Sequence, residues 1–125
     1  MLRALAAIRS QGDRICVVPQ NLYEFWAVAT RPILSNGLGL HPAQADRVAK
    51  RVESLCTLLP DGPTLYVGWR RLVTRYAVSG KASHDARLVA AMTAHHVTHI
   101  LTFNVGDFIR YSGITALRPD TLGIA

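Results

Sequence analysis

Segments with apolar residues at helical spacing alternate along the chain with short continuous apolar runs. In residues 2–11 the apolar side chains recur three or four positions apart, and Gly12 follows where a helix C-cap is expected. Residues 15–18 are all apolar and Pro19 ends the run, which is typical of a strand buried on both faces. The first elements are therefore predicted to be a helix and then a buried strand.

The next helix is predicted over residues 22–29, with Asn21 as its cap. Its residues are apolar on nearly every side, and Glu24 carries its only charge. A carboxylate on a helix with little sign of an exposed face is a candidate for a functional role.

A longer helix is predicted to begin at Pro42, because proline is favoured at the first helical position, and its apolar stripe continues to Leu59. A turn at residues 60–63 follows. Residues 65–67 are predicted as a short strand or an extended entry, and a basic helix around Trp69 comes next.

The helix that begins near Ser83 has a carboxylate on its apolar side. Ser83 is predicted as the N-cap, and Asp85 falls in the first turn. On a 3.6-residue period Asp85 shares a side with Leu88, Val89 and Met92. Complementing the helix dipole explains an Asp in the first turn, but it does not explain an Asp on the apolar face.

Two further apolar runs, residues 99–103 and 114–117, are predicted as strands. Helices that alternate with short apolar strands indicate an α/β fold with three layers, α/β/α, around a mostly parallel central sheet. The length of 125 residues predicts a single domain, residues 1–125.

Composition narrows the class of protein. Half of the residues are apolar and 18% are charged, which excludes a disordered chain. No apolar run approaches the ~20 residues of a membrane span, and no signal peptide is recognised. Cys16 and Cys56 fall at predicted core positions, as expected of reduced thiols in a cytoplasmic protein. The net charge of +6 favours a polyanionic partner, nucleic acid first.

Three of the eight acidic residues lie where a functional site is expected. Glu24 and Asp85 each follow a predicted helix start, and Asp107 follows the end of the strand at residues 99–103. In a parallel α/β sheet such positions meet at one edge, so the three carboxylates are predicted to converge. Oxygen ligands suit Mg²⁺ or Mn²⁺, ions that activate water and stabilise displacement at phosphorus.

The acids belong to three longer motifs. These are Asn21-Leu22-Tyr23-Glu24-Phe25-Trp26 with Thr30-Arg31-Pro32, then His84-Asp85-Ala86-Arg87-Leu88-Val89-Ala90-Ala91, and then Leu101-Thr102-Phe103-Asn104-Val105-Gly106-Asp107-Phe108. In this order and spacing they cover nearly the whole chain. Together they resemble the PIN-domain ribonucleases, especially the toxin half of bacterial VapBC toxin–antitoxin pairs.

The resemblance implies a PIN-like fold and an Mg²⁺-dependent endoribonuclease that acts on RNA. It also implies a small antitoxin protein as partner and a homodimer as the assembly. Carried over residue by residue, Glu24, Asp85 and Asp107 are the catalytic, metal-binding acids, and Asn104 is a neighbouring metal ligand or water-positioning group.

Members of the family open with an Asp-bearing strand that is central in the sheet and precedes the first helix. The first strand is therefore expected to be missing here, because this chain starts inside that helix. One metal ligand is expected to be missing with it, so Mg²⁺ should bind weakly and RNA should be cleaved poorly or not at all. The alternative function is a catalytically impaired PIN-like module that binds RNA or an antitoxin without cleaving.

The basic residues after Gly62 fit either a solvated helix face or an RNA-binding surface. The phosphate-contacting candidates are the arginines of the basic helix and of the Asp85 helix: Arg70, Arg71, Arg75 and Arg87. Trp69 is predicted to fill a core or dimer surface, with base stacking as the lesser alternative.

Three histidines near the end of the Asp85 helix, His95, His96 and His99, invite a zinc interpretation. A helix end and a strand separate them, and no Cys or further His completes a four-ligand set, so structural roles are favoured. His84 is likewise favoured as a surface neighbour of Asp85 and not as a base.

Overall fold

The computed structural model describes residues 2–121, which divide into two compact units. The N-terminal unit comprises residues 2–60, and the C-terminal unit comprises residues 61–121 of the described chain. Both units contain helices and a pair of short parallel strands, so the α/β class is confirmed. None of the helices described within residues 2–121 is long and apolar enough to cross a membrane. The single-domain organisation stays a prediction.

Six elements make up the N-terminal unit. They are α1 (Leu2–Ser10), β1 (Cys16–Val17), α2 (Pro19–Thr30), a 3₁₀ turn (Ile33–Ser35), α3 (Pro42–Leu55) and β2 (Thr57–Leu58). β1 and β2 pair in parallel, and the Thr57 N–H donates to the Ile15 carbonyl at 2.7 Å. Ala29 of α2 and Ala45 of α3 are fully buried, because small side chains let these two packed helices approach closely.

The start of α2 differs from the predicted one. The helix begins at Pro19, with proline at its first position, and Asn21 lies inside the first turn. The Asn21 side-chain oxygen accepts the Val18 N–H at 2.8 Å, so Asn21 caps the helix from within and does not precede it. The predicted boundary at residue 22 is therefore three residues late.

The start of α3 at Pro42 is confirmed, and His41 precedes it as the N-cap. Its predicted continuation to Leu59 is wrong, because the helix ends at Leu55 and residues 57–58 form β2. The Cys56 thiol beside this junction is free and half-buried. Burial raises the pKa of Cys56, and the neighbouring Cys16 raises it further while Arg9 lowers it.

The C-terminal unit also has six elements. They are α4 (Leu65–Arg75), α5 (Ala82–Ala94), β3 (His99–Leu101), a 3₁₀ turn (Val105–Phe108, called the 105–108 turn), β4 (Thr115–Leu117) and a last 3₁₀ turn (Pro119–Thr121). β3 and β4 pair in parallel, with His99 opposite Thr115. The strands predicted in residues 99–103 and 114–117 are confirmed in shortened form.

The predicted strand at residues 65–67 is wrong, because these residues form the first turn of α4. Leu65 is buried there, while Tyr66 and Val67 are exposed. α4 packs closely on α5 where Gly68 faces Ala90, since a Cβ added to Gly68 would lie 3.9 Å from that of Ala90. The close approach of two small residues lets the helix pair form.

α5 supplies the core of the C-terminal unit. Residues 88–92 are five consecutive buried positions, and Ala86 is buried as well. Val89 is only 2% exposed. Because α5 is buried on nearly every side over residues 86–92, the surrounding core holds it in place. This helix carries Asp85 in its first turn.

The described strands form two separate two-stranded parallel sheets, β1–β2 and β3–β4. The parallel direction of the pairing agrees with the prediction. A single central sheet is not present among residues 2–121.

Candidate functional site

Asp85 lies in the first turn of α5 and is half-buried. The helix begins at Ala82 with Lys81 at the N-cap position, so the prediction of Ser83 as the N-cap is wrong. Ser83 instead presents its carbonyl to the Trp69 indole, whose Nε1–H donates to it at 2.8 Å. The Asp85 carboxylate therefore begins a helix face whose next members, Leu88 and Val89, belong to the core.

Asp107 is exposed and belongs to the 105–108 turn, which follows β3. The Asn104 carbonyl accepts the Asp107 N–H at 3.0 Å, and the Asn104 N–H donates to the Thr102 hydroxyl at 3.0 Å. Phe108 anchors the turn in the core at 4% exposure. Because the turn packs against α5, the structure brings the elements that carry Asp85 and Asp107 into contact.

Tyr111, which follows the 105–108 turn, is buried and interacts electrostatically with the Asp85 carboxylate. Burial raises the pKa of Tyr111, Arg110 lowers it, and the Asp85 carboxylate contributes a smaller increase. The Tyr111 ring packs edge-on against Tyr76, with centroids 5.0 Å apart. The end of α4 and the surroundings of Asp85 thus share one aromatic cluster.

Glu24 belongs to the N-terminal unit and lies on an exposed part of α2. Its Oε1 accepts the Gln20 Nε2–H at 2.7 Å, and Gln20 itself is only 6% exposed. The expectation that α2 has little exposed surface is wrong, since Tyr23 is 67% exposed. The Glu24 carboxylate is thus solvent-facing and oriented by a buried amide one turn earlier.

Possible metal donors occur in both units. Among the residues described, neither unit contains a group of three or more His, Cys, Asp or Glu side chains that could hold a metal ion. His95 is the C-cap of α5, His96 has a left-handed backbone with φ of 58°, and His99 is in β3. The His99 Nδ1 pairs with the Thr98 hydroxyl at 2.8 Å.

The candidate RNA-binding arginines differ in their surroundings. Arg70, Arg71 and Arg75 are exposed on α4. The Arg70 guanidinium carbon lies 6.0 Å from the Tyr66 ring centroid. Arg87 of α5 is held by Asp61, with Nη2 and Oδ2 3.0 Å apart. The arginines of α4 thus form a solvated basic face, whereas Arg87 belongs to an ion pair.

A surface cleft of about 480 Å³ opens between α4, α5 and the turn before α4. It is lined by Gly62, Pro63, Leu65, Tyr66, Trp69, Ser83, His84 and Arg87. The sequence analysis does not predict this cleft, because it predicts an extended segment at Tyr66. In the structure, Tyr66 lies on α4, one turn before Trp69. A helical interpretation of residues 65–76 would have put the two rings on one face, since they are three positions apart.

The comparisons with known proteins leave the family undecided. No protein-family model, no curated protein and no solved structure matches the chain.

Proposed function

We propose that the chain is a PIN-like domain that acts on RNA, as a metal-dependent endoribonuclease of the VapBC-toxin kind. The observation that carries the proposal is the position of Asp85. Its half-buried carboxylate begins the most deeply buried helix of the C-terminal unit, and that helix contacts the turn bearing Asp107. Carboxylates held on rigid core elements are what a divalent-cation nuclease needs.

The strand pairing also supports a PIN-like arrangement. The resemblance expects a parallel sheet with an Asp-bearing central strand. Both described strand pairs, β1–β2 and β3–β4, are parallel, which agrees with the parallel pairing that the resemblance expects. The basic face of α4 supports RNA as the polyanion, because α4 contains three arginines and no acid.

Within either unit, the described residues include no group of three or more His, Cys, Asp or Glu side chains that could hold a metal ion. This observation favours a second candidate function, a PIN-like module that binds RNA or an antitoxin without cleaving it. Homodimerisation and an antitoxin partner belong to both proposals and rest on the resemblance. Both proposals retain the basic face of α4 and differ only in whether Asp85 supports hydrolysis.

An RNA cleavage assay with Mg²⁺ and with EDTA tests the proposal. Asp85→Asn keeps the size of the side chain and removes its charge, so any weak metal-dependent cleavage by the wild type should be lost while the melting temperature stays near that of the wild type. Asp46→Asn is the matched control, because Asp46 forms an i,i+4 pair with Lys50 on the surface of α3, and it should cleave like the wild type.

Each outcome separates the two candidates. Cleavage that Asp85→Asn does not diminish would remove Asp85 from the catalytic machinery. A wild-type chain that binds RNA in EDTA but does not cleave it in Mg²⁺ would favour the binding module. A chain that neither binds nor cleaves RNA would overturn the action on RNA in both proposals and would leave only the antitoxin-binding module.

A further inference from the structure

The cleft between α4 and α5 combines an exposed aromatic ring with a second ring that is fixed. Tyr66 is 62% exposed, so most of its surface is available to a ligand. Trp69 is half-buried, and its indole N–H is already bonded to the Ser83 carbonyl. The two ring centroids are 6.0 Å apart with an interplanar angle of 32°. The fixed Trp69 therefore supports Tyr66 as one wall of the cleft.

Two arginines and one histidine lie beside this aromatic wall. The Arg70 guanidinium lies near the Tyr66 ring, as a cation–π contact requires. Arg87 lines the cleft and is oriented by Asp61, and His84 lines it as well. The acids near these residues are Asp61, which is paired with Arg87, and Asp85, which follows His84 in the sequence. An aromatic surface bordered by guanidinium groups suits a ligand that has both a flat π face and a phosphate.

We propose that this cleft binds one nucleobase of single-stranded RNA, which stacks on Tyr66 while a flanking phosphate contacts the exposed Arg70. The proposal rests on the proposed action on RNA and adds the form in which RNA is recognised. A cleft of about 480 Å³ is within the range of small-molecule sites, so it has room for one nucleotide. A duplex keeps its bases stacked on one another and offers no free base face, so the single strand is the preferred ligand.

Binding of a short fluorescent single-stranded RNA, measured by anisotropy in EDTA, tests the stacking contact without cleavage. Tyr66→Ala should weaken binding about 5- to 150-fold, which corresponds to about 1–3 kcal/mol for loss of one stacked base. Tyr66→Phe keeps the ring and should bind within about two-fold of the wild type. Tyr23→Ala is the matched control, because Tyr23 is a similarly exposed tyrosine on α2 of the other unit, and it should bind like the wild type.

Tryptophan fluorescence gives a second readout. The chain has two tryptophans, so Trp26→Phe leaves Trp69 as the only indole. Single-stranded RNA should quench Trp69 emission, while duplex RNA of equal charge should quench it much less. An acidic peptide that competes with single-stranded RNA for the cleft and quenches Trp69 equally would identify a different occupant and overturn the proposal.

The failure of this proposal is distinguishable from failure of the proposed function. If the wild type and Tyr66→Ala bind single-stranded RNA equally, the cleft is not a base-binding site, although the action on RNA stands. If the wild type binds no RNA at all, both proposals fail. Circular dichroism of Tyr66→Ala should match that of the wild type, because the side chain is largely exposed.

Discussion

The contact between α4 and α5 determines whether replacing Gly68 by alanine stabilises or destabilises the protein. Gly68 lies in the middle of α4, where glycine is destabilising relative to alanine by roughly 0.5–1 kcal/mol. A Cβ at this position would meet the Ala90 Cβ at 3.9 Å, which is an ordinary van der Waals distance. Gly68→Ala should therefore stabilise the protein by about 0.5–1 kcal/mol, because it gains helix propensity without a clash.

Gly80, between α4 and α5, provides a control with the opposite expected sign. A Cβ there would meet nothing within 4 Å, but the backbone is left-handed, with φ of +64°. An alanine pays roughly 1–2 kcal/mol in that conformation, offset in part by a less flexible unfolded chain. Gly80→Ala should therefore destabilise the protein by roughly 0.5–1.5 kcal/mol, although it is the same substitution in the same unit.

Urea unfolding followed by circular dichroism measures both changes, and thermal melting should place the two variants on opposite sides of the wild type. The expected shift for Gly68→Ala is an increase of about 2–6 °C. A destabilised Gly68→Ala would mean that α4 and α5 lie closer together than described. A stabilised Gly80→Ala would mean that the turn before α5 is not left-handed at this residue.

Two further predictions concern the core of the C-terminal unit. Val89→Ala should lower the free energy of unfolding, measured in urea, by about 2–3 kcal/mol, because two buried carbons and their contacts are lost. Val67→Ala, at a site that is 49% exposed, should lower it by under about 0.5 kcal/mol. Equal losses would contradict the burial of α5. Burial raises the pKa of Tyr111 above 10.0, so the folded state keeps the phenol proton to a higher pH than the unfolded state does. The contribution of this proton to the free energy of unfolding is therefore complete below pH 10.0 and is lost as the pH rises through the folded-state pKa. The urea midpoint of unfolding should fall more steeply above pH 10.0 in the wild type than in Tyr111→Phe, which has no phenol to titrate. An equal fall in both proteins would contradict this prediction.

The sequence predicted elements best where a local signal is unambiguous. Pro42 marked the start of α3 correctly, because its fixed φ and missing N–H suit the first turn of a helix. The prediction for residues 65–67 is wrong because three apolar residues after a turn fit a strand as well as a helix. The burial of Leu65, one turn before Trp69, resolves the ambiguity, but burial is a tertiary property that a short run does not contain.

The candidate site was predictable to the extent that single elements define it. Asp85 at the start of the α5 apolar face follows from helical periodicity, and α5 is the most buried helix of its unit. The role of Gln20 in orienting Glu24 was missed because the helix start was placed three residues late. The cleft beside Tyr66 was missed for a similar reason, since its wall depends on residues 65–67 being helical.

The two parallel strand pairs also differ in how much chain must be ordered before they can form. Cys16 pairs with Thr57, 41 residues later, whereas His99 pairs with Thr115 only 16 residues later. Loop-closure entropy grows as (3/2)RT ln n, so the longer closure costs about 0.8 kcal/mol more. The β3–β4 connection, residues 102–114, is near the lower limit of about a dozen residues for a parallel crossover and uses a 3₁₀ turn in place of an α-helix. The pair next to Asp107 is therefore the one that the unfolded chain can close with the smaller entropic cost.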